Sequence, residues 1–532
     1  MNQIANQPVL IAGQWRSSRQ PVGSFQATNP STGQSLPGLY PISDRAEVIE
    51  TLQAASQAAQ ALHTTPAETI ARFLERFADL LEAQRETLVQ SAYQETGLSQ
   101  ATRLNATELP RTTNQLRQAA YAARERTWTQ PVIDTQLHIR SRFAPLNGPV
   151  VIFGPNNFPF AFNAIAGGDF AAALAAHNPV IARANPGHPA TTRQLAELAF
   201  QAVQEAGLPE ASIQLLYHFP DEVGLELVAH TLVGATGFTG SKNAGLKLKE
   251  AADRAGKPIY LEMSSINPVF ILAGALEERL EALANEFAGA CTMGAGQFCT
   301  NPGLVILPAG PLGEAFLQAA TARFEQLTPG FLFADKSLTA LQSVVRKLEE
   351  HGARIVTGGQ PVTGDSYRFA NTLLRVSGQQ FLQESQALQT EAFGPVSLLV
   401  FSESDEQTLE IARQLEGNLT GTIYSHTQGQ DDAYYAHLEV LVRPRVGRLL
   451  NDKMPTGVAV SSAMNHGGPF PATGHAGFTS VGLPAAIRRF TQLQAYDSVR
   501  PHRLPAELQD KNPTGRLWRM IDGAWTQKDL EK

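Results

Sequence analysis

The fold is decided by the stretch that begins Pro149-Val-Val-Ile-Phe153 and ends Pro258-Ile-Tyr-Leu-Glu262. Apolar runs and helical patterns alternate between these two predicted strands. The other predicted strands are Val180-Ile-Ala-Arg183, Ile213-Gln-Leu-Leu-Tyr217 and a segment from Leu232 to Thr239, and the predicted helices span 160–176, 190–206 and Gly240 to about Ala255. This alternation predicts parallel βαβ units, whose ligands bind at the carboxyl ends of the strands.

The flanking regions extend this pattern in both directions. Residues 44–123 are rich in Ala, Gln, Glu and Leu and predict helices, whereas residues 127–143 predict an extended hairpin. A second α/β unit follows, with strands predicted at Pro268–Leu272, Gly303–Leu307 and Thr422–Ser425. The Gly-, Pro- and Thr-rich stretch 454–482 is longer than the ~12–15 residues of most structureless connections, which indicates a functional segment.

The composition excludes several classes of protein. Of the 532 residues 43% are hydrophobic, which supports large cores and excludes bulk disorder. The formal charge of −7, without a Lys/Arg-rich tract, argues against a nucleic-acid binder. No run reaches the ~18–20 uncharged apolar residues of a membrane span. The start Met1-Asn-Gln-Ile-Ala5 lacks the basic region of a signal peptide, so a cytoplasmic protein is expected.

The chain has two cysteines, and each allows a purely structural interpretation. Cys291 lies on a predicted helix among alanines, which favours core packing. Cys299, in Gly296-Gln-Phe-Cys-Thr300, lies in a loop between a helix and a buried strand, where a thiol is either a small hydrophobe or a nucleophile. No CxxC pair exists, and His466 and His475 have no ligand-like third partner in the sequence, so no metal site is predicted.

Further segments carry candidate polar groups. Glu262 ends an apolar strand, so its carboxylate faces either solvent or a site at the sheet edge. Asn157 is either an ordinary turn residue or an amide donor for an oxyanion. The segment Gly240-Ser-Lys-Asn-Ala-Gly245 joins a strand to a helix, as a pyrophosphate-binding nest does, although the full GxGxxG pattern is absent. Gly294-Ala-Gly296 follows a helix, which argues against a nucleotide loop there.

Five short stretches are informative because of their order along the chain. They are Asn157-Phe-Pro159, Phe238-Thr-Gly-Ser241, Glu262 before Asn267-Pro268, Gly296-Gln-Phe-Cys299 and Glu391-Ala-Phe-Gly-Pro395. In this order they resemble the motifs of the aldehyde dehydrogenase superfamily, over nearly the whole chain. Likeness to one branch is carried by Met293–Thr300, Pro455–Val458, His466–Thr473 and Arg111–Arg117. That branch holds 2-oxoglutarate semialdehyde dehydrogenases and a bacterial NADP-dependent fatty aldehyde dehydrogenase.

The resemblance implies covalent catalysis followed by hydride transfer and hydrolysis. It makes Cys299 the nucleophile, Glu262 the general base for water, and the Asn157 amide, with the backbone N–H of Cys299, the oxyanion donor. It also implies a site for a nicotinamide dinucleotide. The residues of that site are Glu391 at the nicotinamide ribose, Phe393 near the nicotinamide, Thr239, Gly240, Ser241 and Gly245 towards the pyrophosphate, and Arg183 at the adenine ribose.

Departures from the family pattern bear on the cofactor. Arg183 stands where many relatives have a lysine, and Pro186 stands where NAD-specific members often carry a glutamate. The missing carboxylate removes a repulsion against a 2′-phosphate and Arg183 can pair with one, whereas Asp221 and Glu222 oppose it if they point inward. We expect NADP or NAD, with a slight preference for NADP. Met263-Ser264-Ser265 replaces the family's Leu-Gly-Gly and adds side chains beside the nicotinamide.

The predicted substrate depends on the walls of the presumed aldehyde tunnel. The apolar lining residues are Phe158, Phe162, Ile165 and Phe298. Such walls suit a medium- or long-chain fatty aldehyde. A carboxylated semialdehyde needs a cation instead, because an unpaired buried carboxylate is costly, and Arg111 or Arg117 can supply it unless both are solvated or paired within the chain. The residues leave both hypotheses open. The resemblance implies 2-oxoglutarate semialdehyde as the first, with a fatty aldehyde as the alternative.

The resemblance implies three parts with an α/β fold. They are a Rossmann-type dinucleotide-binding domain (1–126 and 146–263), an α/β catalytic domain (264–450), and a small β oligomerisation arm with the C-terminal segment (127–145 and 451–532). The expected partners are a small aldehyde and further copies of the chain, as a homodimer or homotetramer joined by strand addition. Two rival functions stay open, a non-redox cysteine thioesterase that uses Cys299 and Glu262, and a non-catalytic relative.

Overall fold

The computed structural model contains two seven-stranded sheets, a five-stranded sheet and a two-stranded ribbon. It describes residues 6–364 and 366–530. The start Met1-Asn-Gln-Ile-Ala5 lies outside the described residues. The expectation of a cytoplasmic protein rests in part on these residues. Within the described ranges no helix is long and apolar enough to cross a membrane.

The strands are numbered in chain order. The first eleven are β1 (Val9–Ile11), β2 (Gln14–Arg16), β3 (Gly23–Phe25), β4 (Tyr40–Ile42), β5 (Val132–Asp134), β6 (Ile139–Pro145), β7 (Val150–Phe153), β8 (Val180–Arg183), β9 (Ile213–Leu216), β10 (Ala235–Thr239) and β11 (Ile259–Glu262). The others are β12 (Val269–Ile271), β13 (Leu304–Pro308), β14 (Arg354–Thr357), β15 (Thr372–Ser377), β16 (Val396–Ser402), β17 (Asn418–Tyr424), β18 (Val446–Asn451), β19 (Thr491–Asp497), β20 (Arg519–Ile521) and β21 (Ala524–Thr526).

The helices surround the sheets. They are α1 (Arg45–Thr64), α2 (Ala67–Ala83), α3 (Arg85–Thr96), α4 (Leu109–Glu125), α5 (Gly168–Ala175), α6 (Pro189–Ala206), α7 (Asp221–Ala229), α8 (Lys242–Arg254), α9 (Ala273–Thr292), α10 (Pro311–Gln326), α11 (Asp335–Glu350), α12 (Gly378–Gln383), α13 (Ser385–Leu388), α14 (Asp405–Gln414) and α15 (Asp432–Val442). A π-helix, Gln100–Glu108, leads into α4. Asp44 starts α1 by accepting the backbone N–H of Glu47 at 2.8 Å, the capping role that Asp favours.

The first sheet has the strand order β11-β10-β7-β8-β9-β1-β2. Its strands β7 to β11 are parallel to one another, as the alternating pattern of the sequence predicts, and β10 lies between β7 and β11. Thr239 at the end of β10 pairs with Glu262 at the end of β11. The carboxyl ends of these strands therefore meet at one edge, where ligands of such sheets bind.

The helix predicted over 160–176 is wrong in its first half, because α5 begins only at Gly168. The Asn163 side chain holds the preceding segment in an irregular loop by donating to the Pro159 carbonyl and accepting from the backbone N–H of Ile165. A side chain at Gly167 would also place its Cβ 2.6 Å from the Cα of Phe162. Local hydrogen bonds of an Asn thus override the apolar, helix-like composition.

The second sheet has the order β14-β15-β16-β13-β12-β17-β18, and the third has the order β19-β6-β5-β20-β21. The stretch 454–482 leaves the second sheet and crosses to the first, where Met263 N–H donates to the Ala472 carbonyl at 2.8 Å. One part of the segment predicted for the oligomerisation arm therefore lies beside Glu262. The domain boundaries given above stay a prediction.

Candidate active site

Cys299 lies in the loop between α9 and β13, and this loop approaches the second sheet closely. A Cβ atom on Gly296 would lie 2.1 Å from the carbonyl oxygen of Gly394, and its φ is +67°, so only glycine fits there. The Asn267 amide donates to the carbonyl oxygens of Cys299 and Asn301, each at 2.9 Å. These contacts fix the backbone that carries the thiol.

Glu262 and His466 face this thiol. Nε2 of His466 lies 3.0 Å from Oε1 of Glu262 and 3.4 Å from Sγ of Cys299. The Ser480 hydroxyl donates to Oε2 of Glu262 at 3.0 Å. Glu262 is only 5% exposed and His466 only 2%, so their hydrogen bond is shielded from water and strengthened by the low local dielectric.

The protonation states of these groups follow from their surroundings. Burial and the Glu262 carboxylate raise the pKa of the Cys299 thiol well above its usual range. Burial alone would also raise the pKa of Glu262, but the facing His466 and the hydrogen bonds from His466, Ser480 and Cys299 together lower it. At neutral pH a protonated thiol therefore faces an ionised carboxylate. The thiol thus has a proton to give and the carboxylate is free to accept it, although both pKa shifts oppose the transfer until the thiol attacks a substrate.

His466 belongs to the site, although its position in the sequence does not show this. The expected lack of a third ligand-like partner for His466 is wrong, because ligand atoms of Glu262, Cys299 and His466 all lie within 4.8 Å of one another. Such a set of oxygen, sulfur and nitrogen atoms can coordinate zinc, and it equally suits proton transfer. The absence of a metal stays a prediction. The signals in the sequence are the unusual length of the Gly-rich stretch 454–482 and the likeness of His466–Thr473 to one branch of the family.

Asn157 lies beyond the carboxyl end of β7 and beside the Cys299 loop. Its Nδ2 donates to the carbonyl oxygen of Gln297 at 3.0 Å. Gln297 is itself fixed, because its side chain donates to the Phe331 carbonyl and accepts from the Phe333 N–H. The amide is thus held next to the reactive loop, as an oxyanion donor requires.

An aromatic cluster adjoins the same loop. Phe158 packs edge-on against Phe162 and Phe298, with ring centroids 5.1 and 5.5 Å apart, and all three rings are buried. Val458 and Met464 of the long Gly-rich stretch pack against this cluster. The structure therefore brings together three of the four predicted apolar lining residues, and their contact with substrate stays a prediction.

Two residues predicted at the tunnel lie elsewhere. Ile165 is fully buried in the core of the first sheet, because the irregular segment before α5 does not follow the expected helical spacing. Arg117 is partly exposed on α4 and forms ion pairs with Asp79 and Glu82 of α2. Its charge is therefore neutralised on the surface, away from the thiol.

Arg111 lies six residues before Arg117 on α4, which places it about 120° around the helix from Arg117 and on a different face. Its guanidinium lies over the rings of Phe162 and Phe158, 5.2 and 5.8 Å from their centroids. Nη1 donates to the Val458 carbonyl at 2.8 Å, whereas Nη2 is buried without a hydrogen-bond partner among the described residues. Burial lowers the pKa of Arg111, and the charges of Glu108 and Cys299 partly oppose this shift.

A cavity of about 550 Å³ lies between the first and second sheets. Lys242 at the start of α8, Ser264 and Glu391 line it, and Phe393 lines an adjoining space. Burial raises the pKa of Glu391 to about 7, opposed by hydrogen bonds from Ser264 and Ser265. This position and polar lining fit the nicotinamide and ribose of a dinucleotide, and the added Ser264 hydroxyl contacts Glu391.

The turn from β10 into α8 carries the residues predicted for the pyrophosphate path, namely Thr239, Gly240, Ser241 and Gly245. Ser241 caps α8 by accepting the Ala244 N–H. A Cβ at Gly240 would lie 2.8 Å from the Phe238 ring, and one at Gly245 would lie 3.0 Å from Met263 Sδ, so packing explains both glycines. The turn also presents a helix N-terminus at the sheet edge, which fits an anionic phosphate.

Arg183 ends β8 further along the same edge. Its Nη2 lies 2.6 Å from Nδ1 of His218, and its Nε is buried without a partner among the described residues. Burial lowers the pKa of Arg183 to about 10, and the charge of Asp221 partly opposes this shift. A free guanidinium N–H here fits an additional phosphate, although Asp221 acts on the same group.

Comparison with known proteins identifies a family. The model of the aldehyde dehydrogenase family matches residues 15–494. The chain is 36% identical to alpha-ketoglutaric semialdehyde dehydrogenase 2 of Azospirillum brasilense, covering 94% of this chain and 96% of that one. It is 34% identical to alpha-ketoglutaric semialdehyde dehydrogenase of Acinetobacter baylyi, covering 97% and 98%.

Solved structures show the same fold. Lactaldehyde dehydrogenase of Escherichia coli superposes with a TM-score of 0.79 at 21% identity, covering 93% of this chain and 99% of that one. An aldehyde dehydrogenase mutant of Pseudomonas syringae, complexed with NAD+ and octanal, superposes with a TM-score of 0.78 at 20% identity, covering 94% and 98%.

The chain belongs to the aldehyde dehydrogenase family. It is an enzyme that oxidises an aldehyde with a nicotinamide dinucleotide, NAD or NADP, as cofactor. The predicted family, α/β fold and enzyme class are confirmed. The thioesterase and non-catalytic alternatives are therefore not retained.

Proposed function

We propose that this enzyme oxidises 2-oxoglutarate semialdehyde to the corresponding dicarboxylate. The observation that carries the proposal is Arg111, a buried cation beside the aromatic cluster with an unpartnered Nη2 and no ion pair among the described residues. A substrate carboxylate would satisfy it with a charge-assisted hydrogen bond. Two relatives at 36% and 34% identity, described as alpha-ketoglutaric semialdehyde dehydrogenases, support the same substrate.

A second arginine supports an anionic substrate. Arg448 donates from Nη2 to the carbonyls of Pro455 and Gly457, in the same loop whose Val458 carbonyl binds Arg111. Its Nε is buried without a partner in the described part of the chain. Burial lowers the pKa of Arg448, and the nearby Cys299 opposes this shift. A fatty aldehyde would leave both cations without a counter-charge in an apolar pocket, which is costly.

The residues support a two-stage reaction. Glu262 takes the thiol proton while Cys299 Sγ bonds to the aldehyde carbon, and the resulting oxyanion is held by the Asn157 amide and the Cys299 N–H. When bound, the nicotinamide cofactor supplies the oxidant that removes a hydride and leaves a thioester. Glu262 passes the thiol proton to solvent and, ionised again, takes a proton from water, whose oxygen attacks the thioester carbon, and returns that proton to the departing thiolate. The C–S bond breaks, and the carboxylic acid and the free cysteine result.

We further propose that NADP is slightly preferred over NAD. Support comes from the free Nε of Arg183 and from Pro186, which replaces an acidic side chain, whereas Asp221 limits the preference. The expected result is a higher kcat/KM with NADP than with NAD. Arg183→Gln should remove this difference, and an unchanged ratio in that variant would overturn the assignment.

The homo-oligomer predicted from the resemblance is also a proposal. Val132, Ile139, Leu493 and Trp525 are exposed, and the strand pairing of the third sheet puts them on one face. An exposed apolar face of this kind is typical of a subunit interface. A cytoplasmic location stays a prediction, as do the three domain ranges.

The substrate is tested by following the absorbance of reduced nicotinamide with purified enzyme. 2-Oxoglutarate semialdehyde is compared with pentanal, which has the same chain length without charge, and with longer aldehydes. We expect kcat/KM for the semialdehyde to exceed that for pentanal by at least about tenfold, the value of one charge-assisted hydrogen bond. Values that rise steadily with alkyl length would instead establish a fatty aldehyde dehydrogenase.

A further inference from the structure

The π-helix Gln100–Glu108 stands directly before α4 and is an unusual element of the fold. π-helices are rare, and short ones occur frequently at functional sites. In an α-helix, residues five apart point about 140° away from each other. In a π-helix, whose hydrogen bonds join residues i and i+5, residues five apart project much more nearly in the same direction. This geometry lets Arg103 and Glu108 face the same way.

Both side chains hold the loop that follows β7. Oε1 of Glu108 accepts the backbone N–H groups of Phe160 and Ala161 at 2.8 and 3.1 Å. Oε2 of Glu108 accepts from Nε of Arg103 at 3.2 Å, and Nη2 of Arg103 donates to the carbonyl oxygen of Asn157 at 2.9 Å. The π-helix thus binds this loop at Asn157 and again three and four residues later.

Arg103 also joins this loop to the loop of the reactive thiol. Its guanidinium lies 4.2 Å from the ring centroid of Phe158 and 4.6 Å from that of Phe298. Phe158 follows Asn157, and Phe298 precedes Cys299. One planar cation therefore contacts the neighbours of the oxyanion donor and of the nucleophile, and cation–π contacts stabilise this layered arrangement.

The contacts distinguish Arg103 from the arginines that face the substrate. Glu108 is 1% exposed and pairs with Arg103, so the charge of this arginine is already neutralised. No nitrogen of Arg103 is among the buried atoms without a partner in the described residues, whereas Arg111 and Arg448 each have one. The contacts of Arg103 are therefore those of a residue that holds neighbouring groups in place, and not those of a residue that binds an anion.

We propose that Arg103, presented with Glu108 by the π-helix, is a positioning residue that aims the Asn157 amide at the oxyanion. The proposal depends on the oxyanion role of Asn157 given under Proposed function. Holding the Asn157 carbonyl fixes the peptide from which the amide projects, while the amide itself is set against the Gln297 carbonyl. A misplaced donor costs rate, because hydrogen bonds to a developing charge demand precise geometry.

The test is a double-mutant cycle on the rate of the first burst of reduced cofactor, which reports adduct formation and hydride transfer. The variants are Asn157→Ala, Arg103→Met and both together. Asn157→Ala should slow the burst by about 10²–10³-fold, the value of one oxyanion donor, and Arg103→Met by about 10–10²-fold. Because Arg103 acts through Asn157, the double variant should be no slower than Asn157→Ala alone.

The controls separate this role from general damage. Arg85→Met removes an exposed arginine that also contacts the π-helix, at Asn105, and should leave the burst unchanged. Arg103→Lys keeps the charge and should restore part of the burst. If Arg103→Met does not fold, Glu108→Gln enters the same cycle, because it removes the charge that orients Arg103.

Each outcome decides between the proposals. Losses that multiply in the double variant would show that Arg103 acts independently of Asn157, which overturns the positioning role. A normal burst in Arg103→Met would overturn it as well. A normal burst in Asn157→Ala would refute the oxyanion assignment on which the proposal rests, whatever Arg103 does.

Discussion

The two sides of the Cys299 thiol differ sharply in chemistry. On one side, Glu262, His466 and Ser480 form a chain of buried hydrogen bonds that ends at the thiol. On the other side stand aromatic rings and Arg111, a buried cation without a carboxylate partner among the described residues. The acceptors of the first side are satisfied within the chain, whereas Nη2 of Arg111 on the second side has no partner among the described residues.

This difference indicates a division of labour. A complete hydrogen-bonded chain moves protons and is indifferent to what is attached to the aldehyde carbon. A buried arginine with an unpaired nitrogen distinguishes one substrate from another. It binds an anionic substrate more tightly, because the anion supplies the missing hydrogen bond, and an alkyl chain more weakly, because the nitrogen then stays unpaired. Substitutions on the first side should therefore act on every aldehyde alike, and those on the second side should change the ratio between aldehydes.

The largest effect is expected at the thiol that both sides share. Cys299→Ala should lower turnover by at least about 10⁴-fold with every aldehyde, because no covalent adduct forms without the nucleophile. Binding of NADP, measured by quenching of tryptophan fluorescence, should persist because the predicted cofactor residues are unchanged. Cys291→Ala is the matched control, since that thiol is fully buried. Unchanged steady-state rates in Cys299→Ala would refute the assignment.

The next effect belongs to the proton-transfer side. Glu262→Gln should lower steady-state turnover by about 10²–10⁴-fold, the usual contribution of a general base, because water is no longer activated to attack the thioester. The burst of reduced cofactor should also slow, because Glu262 takes the thiol proton, but by less than turnover, and stopped-flow absorbance measures both phases. The loss should be equal for the semialdehyde and pentanal. If burst and turnover fall equally, the main role of Glu262 is activation of the thiol.

The substrate side should respond differently. Arg111→Met should lower kcat/KM for 2-oxoglutarate semialdehyde by about 10–100-fold, the value of a charge-assisted hydrogen bond, and should leave kcat/KM for pentanal within a few-fold. Arg117→Met is the control on the same helix, because its partners are Asp79 and Glu82 on the surface. An equal loss for both aldehydes would show that Arg111 supports the Val458 loop and does not select the substrate.

The sequence predicts the elements of the sheets better than it predicts the site between them. The strands near Val150–Phe153, Val180–Arg183 and Ile259–Glu262 are found as expected, because a run of buried apolar residues is a local property. The same reasoning fails over 160–167, where Asn163 replaces helical hydrogen bonds with its own. Composition gives no signal of such a competition.

The site residues divide in the same way. Cys299, Glu262 and Asn157 lie in motifs that are recognised from short stretches, and the structure brings them together. His466 reaches Glu262 from 204 residues away, and the π-helix that carries Arg103 and Glu108 contacts a loop 54 residues further along the chain. Arg111 and Arg117 look alike in sequence, and only the packing of α4 shows which one is buried. Which arginine is buried and which residues meet at the thiol are therefore set by tertiary contacts and not by local sequence.

The smallest effect tests the electrostatics that link the two sides. Burial and the charge of Glu262 both raise the pKa of the Cys299 thiol, so replacing the carboxylate by a neutral amide should lower it. In Glu262→Gln the pH midpoint of alkylation by iodoacetamide should therefore fall relative to the parent enzyme. Arg111→Met should move the midpoint upward instead, because the Arg111 charge lowers the pKa of the same thiol. Opposite shifts in the two variants would show that the Glu262 and Arg111 charges both act on the Cys299 thiol. A midpoint that neither variant moves would show that burial alone sets the pKa of the thiol.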